Sequence, residues 1–212
     1  MKVLAYISAF SVLIPAFYGL IKFNHADKAV RMMIYYIFFC VLLEGLTLSL
    51  TSLQINNALI ADIFYMIEGV FLITFFYFVY AESEFRIPAL LLAVIYLGYG
   101  FYTTFVSPGY LVYNSNYRAA ESLMVQALTA YALVKISKQE NLQLMQNPEF
   151  WISTGFFIYF SVNIAVFITA NFLVENDLTM MRNTWMIHSL VNIGANLIFT
   201  FGLSCIPRQQ HR

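Results

Sequence analysis

Residues 59–81 read LIADIFYMIEGVFLITFFYFVYA. Only Asp62 and Glu68 carry charge in this stretch. A helix needs about 20 predominantly apolar residues to cross a bilayer, and this run supplies them. Glu68 lies in its middle, where a carboxylate costs several kcal/mol unless it is protonated or paired. The preceding apolar run, 32–53, has the same character and the same interruption, Glu44. Each acid is followed by a glycine, as Glu44-Gly45 and Glu68-Gly69.

Working outward, seven stretches have the length and apolarity of a span: 3–21, 32–53, 59–81, 87–106, 119–136, 150–174 and 184–206. The fifth is the weakest, because it carries Glu121 and Gln126 and opens after Arg118. The expected fold is all-α: an integral membrane seven-helix bundle forming a single transmembrane domain over 1–212. The composition agrees. The chain is 61% hydrophobic and 10% charged, whereas a soluble domain carries about 25% charged residues. The N-terminal run is longer than the roughly 7–15 apolar residues of a secretory signal and shows no small-x-small cleavage site, so it reads as a retained first span.

Lysine and arginine counts set orientation. Connections one, three and five plus the tail hold Lys22, Lys28, Arg31, Arg86, Lys135, Lys138, Arg208 and Arg212. The N-terminus and the other connections hold Lys2, Arg118 and Arg182. This places the N-terminus outside and the C-terminus in the cytoplasm. Tyr77, Phe78, Tyr80, Phe150, Trp151 and Trp185 then fit an interfacial aromatic belt.

At 1.5 Å per residue, Glu44 and Glu68 both lie about 13 Å below the outer surface on antiparallel neighbours. Facing each other, they cannot both ionise cheaply, and a shared proton is expected. Their glycines would let the two backbones approach closely. The seventh span adds His188, Asn192 and Asn196, four apart on one face, with Trp185 a turn earlier. The sixth offers Asn163 and Asn171, and the fifth Glu121. The candidate ligand- or proton-binding residues are Glu44, Glu68, His188, Asn192, Asn163 and Glu121. The plainer reading makes the amides interhelical glue, His188 a satisfied core histidine, Glu121 a first-turn acid suited to the helix dipole, and Asp62 an interfacial acid.

Several chemistries lack their residues. The seventh span has no lysine for a retinal Schiff base. One histidine within the spans is too few for an ordinary zinc site unless carboxylates substitute. No nucleotide-binding or hydrolase motif occurs. Zero net charge offers no footprint for nucleic acid. Cys40 and Cys205 both fall in apolar stretches and imply no disulfide. No metal or cofactor is expected.

Two runs carry a resemblance: NPEFWISTGFFIYF at 147–160 and WMIHSLVNI at 185–193. Together they resemble small seven-span proteins of Bacteroidota, similar to the seven-span sensory modules associated with histidine kinases. The resemblance implies a multi-pass inner-membrane protein and a signalling role beside a sensor kinase, and no chemistry. The first run also has a local physical reading, with Asn147 as helix cap, Pro148 in the first turn and Glu149 at the positive dipole end.

The leading expectation is a membrane sensory or accessory protein. Its outer-half polar cavity, lined by Glu44, Glu68, Asn163, His188 and Asn192, would bind a small ligand or proton and act through a partner protein in the bilayer. The alternatives, in order, are a structural subunit of a membrane complex, a proton-coupled carrier and an intramembrane lipid-modifying enzyme.

Overall fold

The computed structural model describes residues 2–56, 58–80, 86–106, 115–139 and 143–207; the side chains of Lys2, Arg86, Asn171 and Glu175 and the tail 208–212 fall outside that set. The described residues are all-helical: α1 (Lys2–Ser11), α2 (Leu13–Lys22), α3 (Lys28–Ser52), α4 (Ala58–Val79), α5 (Arg86–Phe101), α6 (Ser115–Ser137), α7 (Pro148–Asn176) and α8 (Leu178–Ser204). Each expected stretch overlaps one of these helices, and the first is divided between α1 and α2.

That division has a local cause. Proline lacks an amide hydrogen and its ring clashes with the carbonyl four residues back. For Pro15 that residue is Ser11, and α1 ends there. The helical pattern resumes when the Ala16 amide donates to the Val12 carbonyl at 3.2 Å. Side-chain caps fix three of the other starts. Asp27 accepts from the Val30 amide at 2.8 Å, and Asn147 accepts from the Phe150 amide at 2.9 Å with Pro148 in the first turn. A single residue, Asp177, separates α7 from α8 and accepts from the Thr179 and Met180 amides at 3.0 and 2.9 Å. That cap starts α8 at Leu178, six residues before the apolar stretch begins at Thr184.

The α3–α4 turn uses a left-handed residue. Gln54 has φ 57°. The Ile55 amide donates to the Leu50 carbonyl at 3.0 Å and the Gln54 amide to the Thr51 carbonyl at 3.1 Å. This paired pattern satisfies the last carbonyls of α3, and glycine usually occupies its left-handed position.

The rods pack in sequence order. α3 lies on α4, α4 on α5 and α6, α6 on α7, and α7 on α8. α8 packs against α1 and α2, and α2 returns to α3. Six rods are long and apolar enough to cross a membrane: Val3–His25, Lys28–Ser52, Ala58–Val79, Ile87–Val106, Pro148–Ala170 and Leu178–Ser204. The outer surface bears large apolar side chains such as Leu42, Ile87, Val94, Ile95 and Phe172, all strongly exposed. Water would penalise such a surface, while hydrocarbon accommodates it. The protein is therefore a multi-pass membrane protein. α6 is not among the six. It is 23 residues long, but Arg118, Glu121 and Lys135 lower its apolarity. It also buries more polar residues than its neighbours, with Ser115, Arg118, Glu121, Ser122 and Thr129 all enclosed.

The interior is aromatic. Phe156 on α7 meets Phe75 and Phe76 on α4 at ring-centroid distances of 5.9 and 6.2 Å and Phe199 on α8 at 4.9 Å. Small residues bring α7 and α8 close, as expected between helices in lipid. A Cβ on Gly202 would stand 3.0 Å from the Trp151 Cβ and 3.3 Å from the Pro148 carbonyl oxygen.

Two of the expected belt aromatics face inward instead. The Tyr80 hydroxyl is fully buried and donates to the Leu128 carbonyl. Trp185 packs beside His188, with ring centroids 5.1 Å apart. Trp151 keeps a more peripheral position and donates from Nε1 to the Met145 carbonyl at 3.0 Å.

Candidate functional site

α3 presents Tyr36, Cys40, Glu44 and Thr47 at spacings of four, four and three, which places them on one helical face. That face borders a cavity of about 390 Å³. α4 contributes Phe64, Tyr65 and Glu68; α6 contributes Arg118; α7 contributes Tyr159 and Phe167; α8 contributes Trp185, His188, Asn192 and Asn196. Val12, at the break between α1 and α2, closes another side. The volume lies in the range of small-molecule sites, about 300–1,000 Å³. The C-terminal half of α3, the N-terminal half of α4 and the first turn of α6 supply lining residues, so the cavity sits toward the α3–α4 turn, and α8 lines it along its middle.

The buried charges are arranged around Arg118 in the first turns of α6. Its Nη1 donates to Glu68 Oε2 at 2.5 Å and also to Glu121 Oε2. Glu121 is three residues further along α6, one turn away on the same face. The other Glu68 oxygen accepts from the Tyr36 hydroxyl on α3 at 2.7 Å. The guanidinium carbon lies 4.3 Å from the Tyr65 ring centroid and 5.0 Å from that of Phe167, within cation–π range. Side-chain exposure is 4% for Arg118 and 2% for Glu68. With water excluded to this degree, the charges must be matched internally.

This arrangement corrects the expected pairing of Glu44 with Glu68. Both line the cavity, but Glu68 is held by Arg118 and Tyr36. The partially buried Glu44 makes no hydrogen bond or ion pair among the described residues. The glycines differ as well. A Cβ on Gly69 would lie 2.1 Å from Tyr96 Cε1, so this glycine receives a ring from α5, whereas nothing lies within 4 Å of the corresponding point on Gly45. The Tyr96 hydroxyl then donates to the Tyr65 carbonyl at 2.7 Å.

His188 and Asn163 do meet. Nδ1 of the ring lies 2.8 Å from Asn163 Oδ1. When that nitrogen is the donor, Nε2 is left as an acceptor. Tyr159, Phe167 and Trp185 surround the imidazole at centroid distances of 5.9, 5.9 and 5.1 Å. No hydrogen bond joins His188 to an acid among the described residues.

Asn192 lines the cavity, yet its amide nitrogen is 3.0 Å from Ser8 Oγ. Asn196 Nδ2 likewise donates to Ser11 Oγ at 2.8 Å. These bonds tie α8 to α1, as the plainer reading of the amides anticipates. Gln126 similarly joins α6 to α7 by donating to Ser161 Oγ at 2.6 Å. Asp62 is buried against its neighbours and is 3.5 Å from the Thr104 hydroxyl. The side chain of Asn171, the remaining amide singled out in the sequence, lies outside the described residues.

Arg118, Tyr36, Ser8 and Ser11 are the contributors that hydropathy passes over. Arg118 and Glu121 had a usable signal in their three-residue spacing. Ser8 and Ser11 had another, as two hydroxyls one turn apart in an apolar helix. Among the described residues, no group of three histidine, cysteine, aspartate or glutamate side chains is disposed to hold a metal ion. Comparison of the chain with family models, curated proteins and solved structures finds no match.

Proposed function

We propose that this protein is a membrane sensory or accessory subunit that binds a small ligand in the cavity between α3, α4, α7 and α8 and passes the occupied state to a partner in the same bilayer. The observation that carries this reading is the meeting of Glu44, Glu68, Arg118 and His188 at one cavity of about 390 Å³. Apolar walls with a few fixed polar groups are the usual makeup of a ligand site.

The reading takes α6 as a seventh span. Its buried Arg118 is matched by Glu68 and Glu121, which removes the main objection to placing that segment in lipid. The positive-inside bias supports an outside N-terminus and a cytoplasmic C-terminus, so the cavity lies in the outer half. The resemblance of 147–160 and 185–193 to kinase-associated seven-span modules supports an inner-membrane site and a sensor kinase as partner. In this reading the output runs through a partner protein in the bilayer.

The test is made in cells of the source organism. Phosphorylated response regulators are profiled in a deletion strain carrying the wild-type chain, a Glu44→Gln chain or no chain. The expected result is a profile restored by wild type and altered by Glu44→Gln at equal membrane abundance. Identical profiles in all three strains would remove the sensory reading.

A further inference from the structure

Resting on that ligand-binding reading, we infer that the cavity takes an organic cation, an ammonium group carried on an apolar or aromatic body, with Glu44 as its counter-ion. The argument begins with which charges remain unmatched. Arg118 is the cationic side chain at the cavity, and both Glu68 and Glu121 already bind its Nη1. Aromatic rings flank its guanidinium. An anionic ligand seeking Arg118 would approach a guanidinium that already carries two carboxylates and would be repelled by both. His188 is engaged by Asn163 and enclosed by three aromatic rings.

Glu44 is different. It lines the same cavity with no hydrogen bond or ion pair among the described residues. At the cavity wall itself, the carboxyl groups of Glu44 and Glu68 stand against the single guanidinium of Arg118. The balance favours entry of positive charge. Phe64 and Trp185 add ring surface to the wall. Aromatic faces attract ammonium groups and accept the apolar body that carries them. A bare inorganic cation would gain little from such a wall, because hard cations select several oxygen ligands.

The experiment uses the full chain in lipid nanodiscs and three probes of matched shape: 2-phenylethylamine, neutral 2-phenylethanol and anionic 3-phenylpropionate. Binding is read by thermal stabilisation and by tryptophan fluorescence at fixed pH and ionic strength, with sodium chloride as the inorganic control. The amine is expected to bind, with affinity reduced at least tenfold in Glu44→Gln and retained in Glu44→Asp. Because Glu44 has no internal partner, its substitution should leave the unliganded melting temperature unchanged. Equal or tighter binding of the alcohol or carboxylate overturns the cation assignment while leaving a ligand cavity. An amine affinity indifferent to Glu44→Gln, or stabilisation matched by sodium chloride, overturns it as well. Failure of all three organic probes at millimolar concentration overturns both the assignment and the ligand-binding reading beneath it.

Discussion

Arg118 on α6 and Glu68 on α4, fifty positions apart in sequence, form an ion pair with Nη1 and Oε2 separated by 2.5 Å. Glu121 and Tyr36 complete the arrangement. One cationic residue thus links a polar helix to an apolar neighbour and, through Tyr36, to α3. Removing it strands two acids in a water-poor interior.

Arg118→Met is expected to destabilise the protein by about 3–5 kcal/mol, the range for breaking a buried pair by deleting one partner. Replacing Glu68, Arg118 and Glu121 together with methionine should recover most of that loss, because no uncompensated charge remains. Equilibrium unfolding in mixed micelles measures both variants. A triple variant no more stable than the single one would show that packing, not charge, dominates.

Gly69 and Gly45 are expected to respond in opposite ways to alanine. At Gly69 the new methyl meets the Tyr96 ring, which stacks on Tyr117 with centroids 4.9 Å apart and has little freedom to retreat. A loss of about 1–3 kcal/mol is expected, as for overpacking. At Gly45 the methyl enters open space, and alanine should be neutral or stabilising by up to about 1 kcal/mol through helix propensity. Melting temperatures of the two purified variants decide the matter, and equal shifts would contradict it.

Gln54→Gly should stabilise the α3–α4 turn. Gln54 adopts φ 57°, a conformation that costs a residue with a side chain about 1–2 kcal/mol and glycine far less. Glycine's greater freedom in the unfolded chain offsets part of the gain, so an increase of about 1 kcal/mol is expected. Unfolding titrations of the variant test this, and a clear loss would mean that the glutamine side chain itself holds the turn.

Ser11 and Asn196 should couple weakly. Their hydrogen bond spans 2.8 Å between α1 and α8, and double-mutant cycles on interhelical bonds in membranes average about 0.6 kcal/mol. A cycle built from Ser11→Ala and Asn196→Ala measures the coupling. Strict additivity would assign the two residues independent roles.

The helices were legible in the sequence because their apolar runs are long and their caps conventional. Asn147, Pro148 and Glu149 sit at the head of α7 as their chemistry dictates. The presence of acids in apolar runs was also legible, as was the face shared by Trp185, His188 and Asn192. Rotation of the helices was not. In a bilayer both the lipid-facing and the inward-facing sides are apolar, so hydropathy leaves open which face of α3 meets α4. Glu44 and Glu68 were therefore placed at one depth without a means of telling that Tyr36, eight residues before Glu44, would reach Glu68 instead. Arg118 was hidden by its position. It lies at the edge of an apolar stretch, where arginine ordinarily extends to the headgroups, but here it points inward.

The charge on α6 bears on how the chain is made. Under the seven-span reading, this segment is a poor substrate for membrane insertion by itself, since it carries Arg118 and Lys135, residue types that insertion scales penalise. Its neutralising partner, Glu68, emerges from the ribosome fifty residues earlier. Lateral release of α6 into the bilayer should therefore depend on α4 waiting beside the insertion channel. A truncated chain beginning after α4 is expected to leave that segment stranded on one side of the membrane.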